Sequence, residues 1–488
     1  MNVDDLQWQS SHLAGVPPRL VDELLEHGCL QLVVAAARER EDWFCAAGAV
    51  RELCGAGEFG RAWAVVDPFT ESGWQPAVRT GADVLLRWGR VEEALALARP
   101  TGPWEDADEA WRDYATMLVR VGRVEEAIDV LGPHLRAGRV LQALVEMTED
   151  QGCDERVLEL LAPIAEEFRR DPGQCGARDL WEVLPAQARV LERSGRTDEA
   201  IRLFGTDVAT RRYGPQNNVE FYAGLLARHG RIGELRELAT GTGAEQSTAV
   251  RPYVRVLEAL GQADEAEAYL RGLVGAADHP SRYENELLEL LVRQGRFDDA
   301  VQAVEHTFDD LYEGNLLQPA MILLAEQGRH DQALSLTEGR STEFLAENDA
   351  FWLRSNRWWL MGESGRAREA IVEIEALPAG EVDDREVTIA WLLAQDGRVE
   401  EAVARLLPLP GRRAANDLAE LLMRQGRFTE AITVIPDTAA QREEERGFRT
   451  PRTEQQEAAP SDTGRSSPPH PSAPAPGGDR NGRPGPLL

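Results

Sequence analysis

The segment Gly122-Arg-Val-Glu-Glu-Ala-Ile-Asp-Val-Leu131 recurs along the chain about a dozen times. Clear copies begin at Gly89, Gly195, Gly295, Gly328, Gly365, Gly397 and Gly426, and looser ones at Gly57, Gly152, Gly230 and Gly261. The eleven steps from Gly57 to Gly426 average about 33.5 residues. A period of that length predicts stacked helix pairs, each burying its apolar face against its neighbours. The expected fold is therefore an all-α, α-α superhelical solenoid of about twelve helix pairs.

With each glycine as origin, Leu stands four residues earlier in ten of twelve units: Leu53, Leu85, Leu118, Leu191, Leu226, Leu257, Leu291, Leu324, Leu393 and Leu422. Thr148 and Met361 are the exceptions. A small residue often lies at −7, as at Ala82, Ala115, Ala188, Ala223, Ala390 and Ala419. Offsets of −4 and −7 share one helical face, so they mark the buried stripe of a first helix. The glycine then ends that helix, because the residue after a helix often adopts a left-handed conformation.

Ala occupies +5 in ten units: Ala62, Ala94, Ala127, Ala200, Ala266, Ala300, Ala333, Ala370, Ala402 and Ala431. Val157 and Leu235 replace it in the other two. A repeated Ala indicates close contact, since a larger side chain would push the two helices apart. Paired acids at +3 and +4, such as Glu125-Glu126 and Asp298-Asp299, fall in the first turn of the second helix. There they complement the positive end of its dipole. Recurrence in unit after unit argues for that structural role over general acid–base catalysis, which needs one pair only.

Composition narrows the function. The 488 residues carry 84 acids against 53 bases, a formal charge of −31, and every base is Arg. Without Lys there is no P-loop lysine and no Schiff-base lysine. The all-Arg usage fits a GC-rich genome. The acidic field disfavours nucleic acid and anionic lipid, which need clustered cations. Five cysteines (Cys29, Cys45, Cys54, Cys153 and Cys175), with no Cys-x-x-Cys pair and an acidic start, suggest a reduced cytoplasmic protein. Cys45 and Cys54 read best as buried thiols. No apolar run is long enough to span a membrane.

The unit around Gly122 resembles the tetratricopeptide-repeat (TPR) superfamily, bacterial in type. Trp111 stands at that family's Trp position, Ala115 at its small position and Ala127 at its Ala. Gly295-Arg-Phe-Asp-Asp-Ala300 and Gly426-Arg-Phe-Thr-Glu-Ala431 also carry the aromatic residue after the glycine. Most units depart from the family by placing Leu at its Tyr position and lacking its helix-ending Pro. The resemblance covers roughly residues 42–440.

It implies that first helices line a concave groove through positions −2, −3, −6 and −10. Those positions hold Arg79, Arg112, Arg120, Arg189, Arg193, Arg228, Arg251, Arg255 and Arg293. Such a strip would attract the carboxylates of an acidic peptide, although the same arginines could instead pair with acids on solvated helices. Trp359 and Trp391 fall at groove positions near one end, whereas Trp358 falls at the small inner position and suits core packing.

Domain organisation follows. Residues 1–41 form a helical N-terminal cap, residues 42–440 the repeats, with a joint near 165–180, and residues 441–488 a disordered tail rich in Pro, Ser, Gly and Arg. The expected function is a non-enzymatic scaffold binding a protein or peptide. Alternatives are a ligand- or peptide-responsive sensor and, third, a metal-dependent helical enzyme using Asp309-Asp310-Leu-Tyr-Glu313. No cofactor or metal is expected, and nothing here sets the oligomeric state.

Overall fold

The computed structural model describes residues 2–170, 182–210, 216–241, 244–308, 315–338, 347–378, 382 and 384–449. Among the described residues every regular element is helical. This is the all-α repeat architecture that the period predicts.

The turn between the paired helices is nearly invariant. All twelve repeat glycines have positive φ, from 65° at Gly230 to 81° at Gly89 and Gly122. In eleven of the twelve units the residue after the glycine donates its N–H to the carbonyl of the −4 residue, as in Arg123 to Leu118 at 2.8 Å and Arg398 to Leu393 at 2.8 Å. This is the six-to-one bond of a Schellman motif, and it explains why Leu and Gly recur together. The Leu side chain enters the core while its carbonyl closes the turn. Leu118, Leu226, Leu291 and Leu324 are fully buried, each stabilising the stack by about 1.5–3 kcal/mol.

The +5 alanines Ala94, Ala127, Ala200, Ala300, Ala333, Ala370 and Ala402 are all 0 % exposed, and Ala431 is 1 % exposed. Trp358 is likewise buried, which settles its role as core packing. The exceptional Thr148 is also fully buried. Its hydroxyl donates to the Leu144 carbonyl at 2.6 Å and so remains satisfied in an apolar position.

The recurrent turn carries a second regularity. Arg at +1 is the N-cap residue of many second helices and offers no side-chain cap. Its guanidinium instead reaches forward to the acid at +4. Arg90 pairs with Glu93, Arg196 with Glu199, Arg296 with Asp299, Arg398 with Glu401 and Arg427 with Glu430. The +4 acids are therefore tethered to the preceding turn as well as placed on the helix dipole.

The chain forms two compact units. One runs from Leu53 to Leu290, and the other combines the residues up to Glu52 with those from Leu291 onward. In the second unit the N-terminal helices Val3–Ser11, Pro18–Glu26 and Leu30–Glu39 lie against the last repeat, helices Arg412–Arg424 and Phe428–Val434. The same segment also packs on the front of the array, where Val21 and Leu25 lie against Gly48 of helix Trp43–Gly55.

One boundary differs from the sequence expectation. The final helix Thr438–Arg449 passes the boundary placed at 441, because Gln441 is buried and bonded to Gly15 rather than solvated. The tail from residue 450 lies outside the described residues. Near the expected joint, the helix Asp154–Arg170 is unbroken, and residues 171–181 lie outside the described residues.

Candidate partner-binding surface

The arginines read as a groove strip lie on successive first helices, but most face carboxylates on the neighbouring first helix. Arg79, on Gln75–Arg87, meets Asp113 of Asp108–Arg120 at 3.1 Å, and Arg120 reaches back to Asp83 at 2.5 Å. Arg112 also holds Asp113, at 2.9 Å. Farther along, Arg228 of Gln216–Arg228 pairs with Glu192 of Val183–Arg193 at 3.0 Å. Arg251 meets Glu286 at 3.1 Å and Glu289 at 2.6 Å, with Arg255 3.4 Å from Glu289. Arg293 is exposed in the last turn of Ser281–Arg293.

The strip is therefore a ladder of alternating charge rather than a bare cationic band. Asp83, Glu192 and Glu289 occupy the same −6 and −3 positions used to select the arginines. Reading those positions for both signs of charge would have found the ladder in the sequence. Burial alone would raise the Glu192 carboxyl, yet bonds from Arg228 and His229 hold it below the ordinary glutamate range.

Arg193 has a different part. Its side chain is 16 % exposed, and it grips Asp154 at 2.7 Å and the Thr148 hydroxyl at 2.9 Å while also donating to the Val145 carbonyl. These bonds tie Val183–Arg193 to the preceding pair, Gly138–Met147 and Asp154–Arg170. Its guanidinium is committed to packing between repeats.

Arg189 stands apart from the ladder. It is exposed, its guanidinium carbon lies 5.6 Å from the centre of the Phe221 ring, and it has no carboxylate partner among the described residues. A cavity of about 270 Å³ opens beside it, lined by Pro185, Ala188, Glu192, Phe204, Phe221 and Arg228. One exposed cation, one half-paired cation and two aromatic rings thus converge on a single recess.

At the other end, Trp359 is half-buried with its ring 6.1 Å from His330 in an edge-on contact. Trp391 packs on Gly362, where a Cβ would lie 2.5 Å from the indole. Gly362 is the residue that makes room for Trp391.

Trp111 donates its indole N–H to the Glu105 carbonyl at 2.7 Å and stacks on His134. Cys45, Cys54 and Cys153 are free and buried, and burial pushes their thiols up. Cys175 and the Asp309–Glu313 string lie outside the described residues. Among those that are described, no cluster of three His, Cys, Asp or Glu side chains is arranged to hold a metal ion. No helix among them is long and apolar enough to cross a membrane.

These stacked pairs, closed by glycine and wedged by alanine, define an α-α repeat protein. A family model described as tetratricopeptide repeat matches residues 254–307, which contain the Gly261 and Gly295 turns. Over those residues the chain is similar to the tetratricopeptide-repeat family.

Among solved structures, it is similar to Naa15/Naa10 bound to HypK-THB, at 15 % identity over 80 % of this chain and 67 % of that one, with a TM-score of 0.32. It is also similar to the pentatricopeptide repeat protein PPR10 from maize, at 13 % identity over 88 % and 71 %, with a TM-score of 0.33. A third is the APC/C hetero-tetramer Cut9-Hcn1, at 10 % identity over 87 % and 95 %, with a TM-score of 0.24. Likeness at this level says nothing of partner or activity. No curated protein matches the chain.

Proposed function

We propose that this protein is a non-enzymatic scaffold that binds an acidic peptide, or the acidic tail of a protein, on its first-helix surface around Arg189, Phe221 and Arg228. The observation that carries the reading is the position of Arg189. Its neighbours in the strip have carboxylate partners, whereas its guanidinium lies over an aromatic ring at the mouth of a cavity.

A partner carboxylate there would complete the alternation of the ladder, with Arg189 taking it in a bidentate grip. Arg228 would add a second donor while keeping Glu192. Phe221 and Phe204 would take an apolar side chain next to the bound carboxylate. The remaining ladder pairs, with a net charge of −31, support a protein partner over a polyphosphate one.

Selection from a displayed peptide library tests this. The wild-type chain should enrich peptides with acidic residues beside an apolar one, with affinity falling as salt rises. The Arg189→Glu variant should lose them by about tenfold or more. Equal enrichment by both chains, or enrichment of basic peptides, would refute the assignment.

A further inference from the structure

Repeat arrays need a terminal unit to cover the apolar face left at each end. At two internal junctions of this chain, an arginine from the following segment reaches the residue nine places after the turn glycine. Arg357 donates to the Thr337 hydroxyl at 2.9 Å, and Arg385 donates to the carbonyls of Ile374 and Leu377. The corresponding residue of the last repeat is Ile435. Its carbonyl accepts from Arg40 at 2.6 Å, and Arg40 also holds the carbonyls of Ile432 at 2.7 Å and Pro436 at 2.8 Å. The guanidinium thus satisfies the carboxyl end of helix Phe428–Val434 as the next repeat would.

The rest of the N-terminal segment continues the substitution. The Gln441 side chain both accepts from the Gly15 N–H at 3.0 Å and donates to the Gly15 carbonyl at 3.2 Å. Arg412 donates to the His12 carbonyl at 2.8 Å, Arg442 pairs with Asp5 at 2.6 Å, and Arg19 pairs with Glu420 at 2.6 Å. Gln9 bonds to the Thr438 hydroxyl at 3.0 Å and accepts from the Trp43 N–H at 2.8 Å.

The node of this arrangement is tight. The buried Asp42 carboxylate accepts the Val16 N–H at 2.7 Å and the Cys45 N–H at 3.0 Å. Gly15 has φ of 90°, and a Cβ there would lie 2.2 Å from the Asp42 carboxylate oxygen. Leu13 and Glu41, on either side of this part of the chain, hold left-handed φ of 49° and 51° without being glycine. Such backbone persists only where surrounding contacts over-determine it.

We propose that residues 2–42 are an intramolecular clasp that stands in for the repeat after the last one, so that the chain's beginning and its final helices open and close as one cooperative unit. An ordinary array frays from each end separately, whereas here loosening either partner removes the cover of the other. A binding event or modification that lifted this segment would disorder the last repeat with it.

Hydrogen exchange on the full chain, followed by mass spectrometry, tests the coupling. Gly15→Ala should drive its new methyl into Asp42 and accelerate exchange over residues 3–26 and 428–446 together. Gln441→Ala removes only a side-chain amide and should do the same by about tenfold in both stretches if opening is shared. Arg136→Ala, in a surface pair with Glu167 far along the sequence, should leave both stretches unchanged. Acceleration of one stretch without the other in the Gln441→Ala chain would overturn the proposal, as would no change in either.

Discussion

Arg193 and Arg189 are four residues apart on one helix, and the structure gives them opposite work. Replacing Arg193 by Ala deletes two bonds to Asp154, one to Thr148 and one to the Val145 carbonyl. Charge-assisted bonds contribute about 1.5–3 kcal/mol each, and removing one partner of a buried pair costs more than its net worth. Water can replace part of this, because Arg193 and Asp154 are 16 % and 25 % exposed. A loss of about 2–3 kcal/mol is therefore expected. It should be local to the junction it ties, as nearest-neighbour coupling in repeat arrays requires.

Arg189→Ala removes one exposed cation–aromatic contact and should cost at most about 1 kcal/mol. Hydrogen exchange separates the two. Arg193→Ala should accelerate the amides of Gly138–Met147 and Asp154–Leu161 by about 30- to 150-fold, and Arg189→Ala by less than about fivefold. Peptide binding should show the reverse order, with Arg189→Ala the more damaging. Equal destabilisation by both variants, or binding lost with Arg193→Ala while its junction stays protected, would refute the division between tie and binding residue.

Other perturbations address separate parts of the account. Burial raises the Asp417 carboxyl from 3.8 to about 6, with Glu420 and Asp384 adding to the rise and Arg413 and Arg19 opposing it. The unfolded carboxyl ionises first, so the penalty grows as pH rises from 3.8 to about 6 and is complete above that. Asp417→Asn should then stabilise the chain at pH 7 by about 2 kcal/mol and do nothing near pH 3.5. Destabilisation at pH 7 in a denaturant titration would show that the carboxylate has a favourable partner. Gly122→Ala should cost about 1 kcal/mol from backbone conformation alone, because φ is 81° and a Cβ there has nothing within 4 Å. Ala127→Leu should cost about 1–3 kcal/mol by overpacking a position that is 0 % exposed. Comparable thermal stability of that variant and wild type would remove the wedge from the account.

The parts of this fold that were legible in the sequence are those written many times. Leu at −4, Gly at the turn and Ala at +5 have an identical physical duty in each unit, so repetition separates them from chance. The Arg at +1 recurs in nine of the twelve units, but its duty appears only when the +4 acid is seen to lie within its reach. The groove needed more. Arg193 and Arg189 look alike in sequence, and only Thr148 and Asp154, forty residues earlier, commit one of them to packing. The clasp left no periodic trace at all, since Gly15, Arg40 and Asp42 each act once and their partners lie some four hundred residues away or elsewhere in the N-terminal segment.

The most direct measurement is position-specific photo-crosslinking of the full chain with a selected acidic peptide. A crosslinker replacing Phe221 on the first-helix surface is compared with one replacing Arg202 on the second helix Thr197–Thr210, which lines a separate recess with Tyr222 and Arg231. The account predicts crosslinks from the Phe221 position that disappear with Arg189→Glu. Crosslinks from the Arg202 position alone would contradict it.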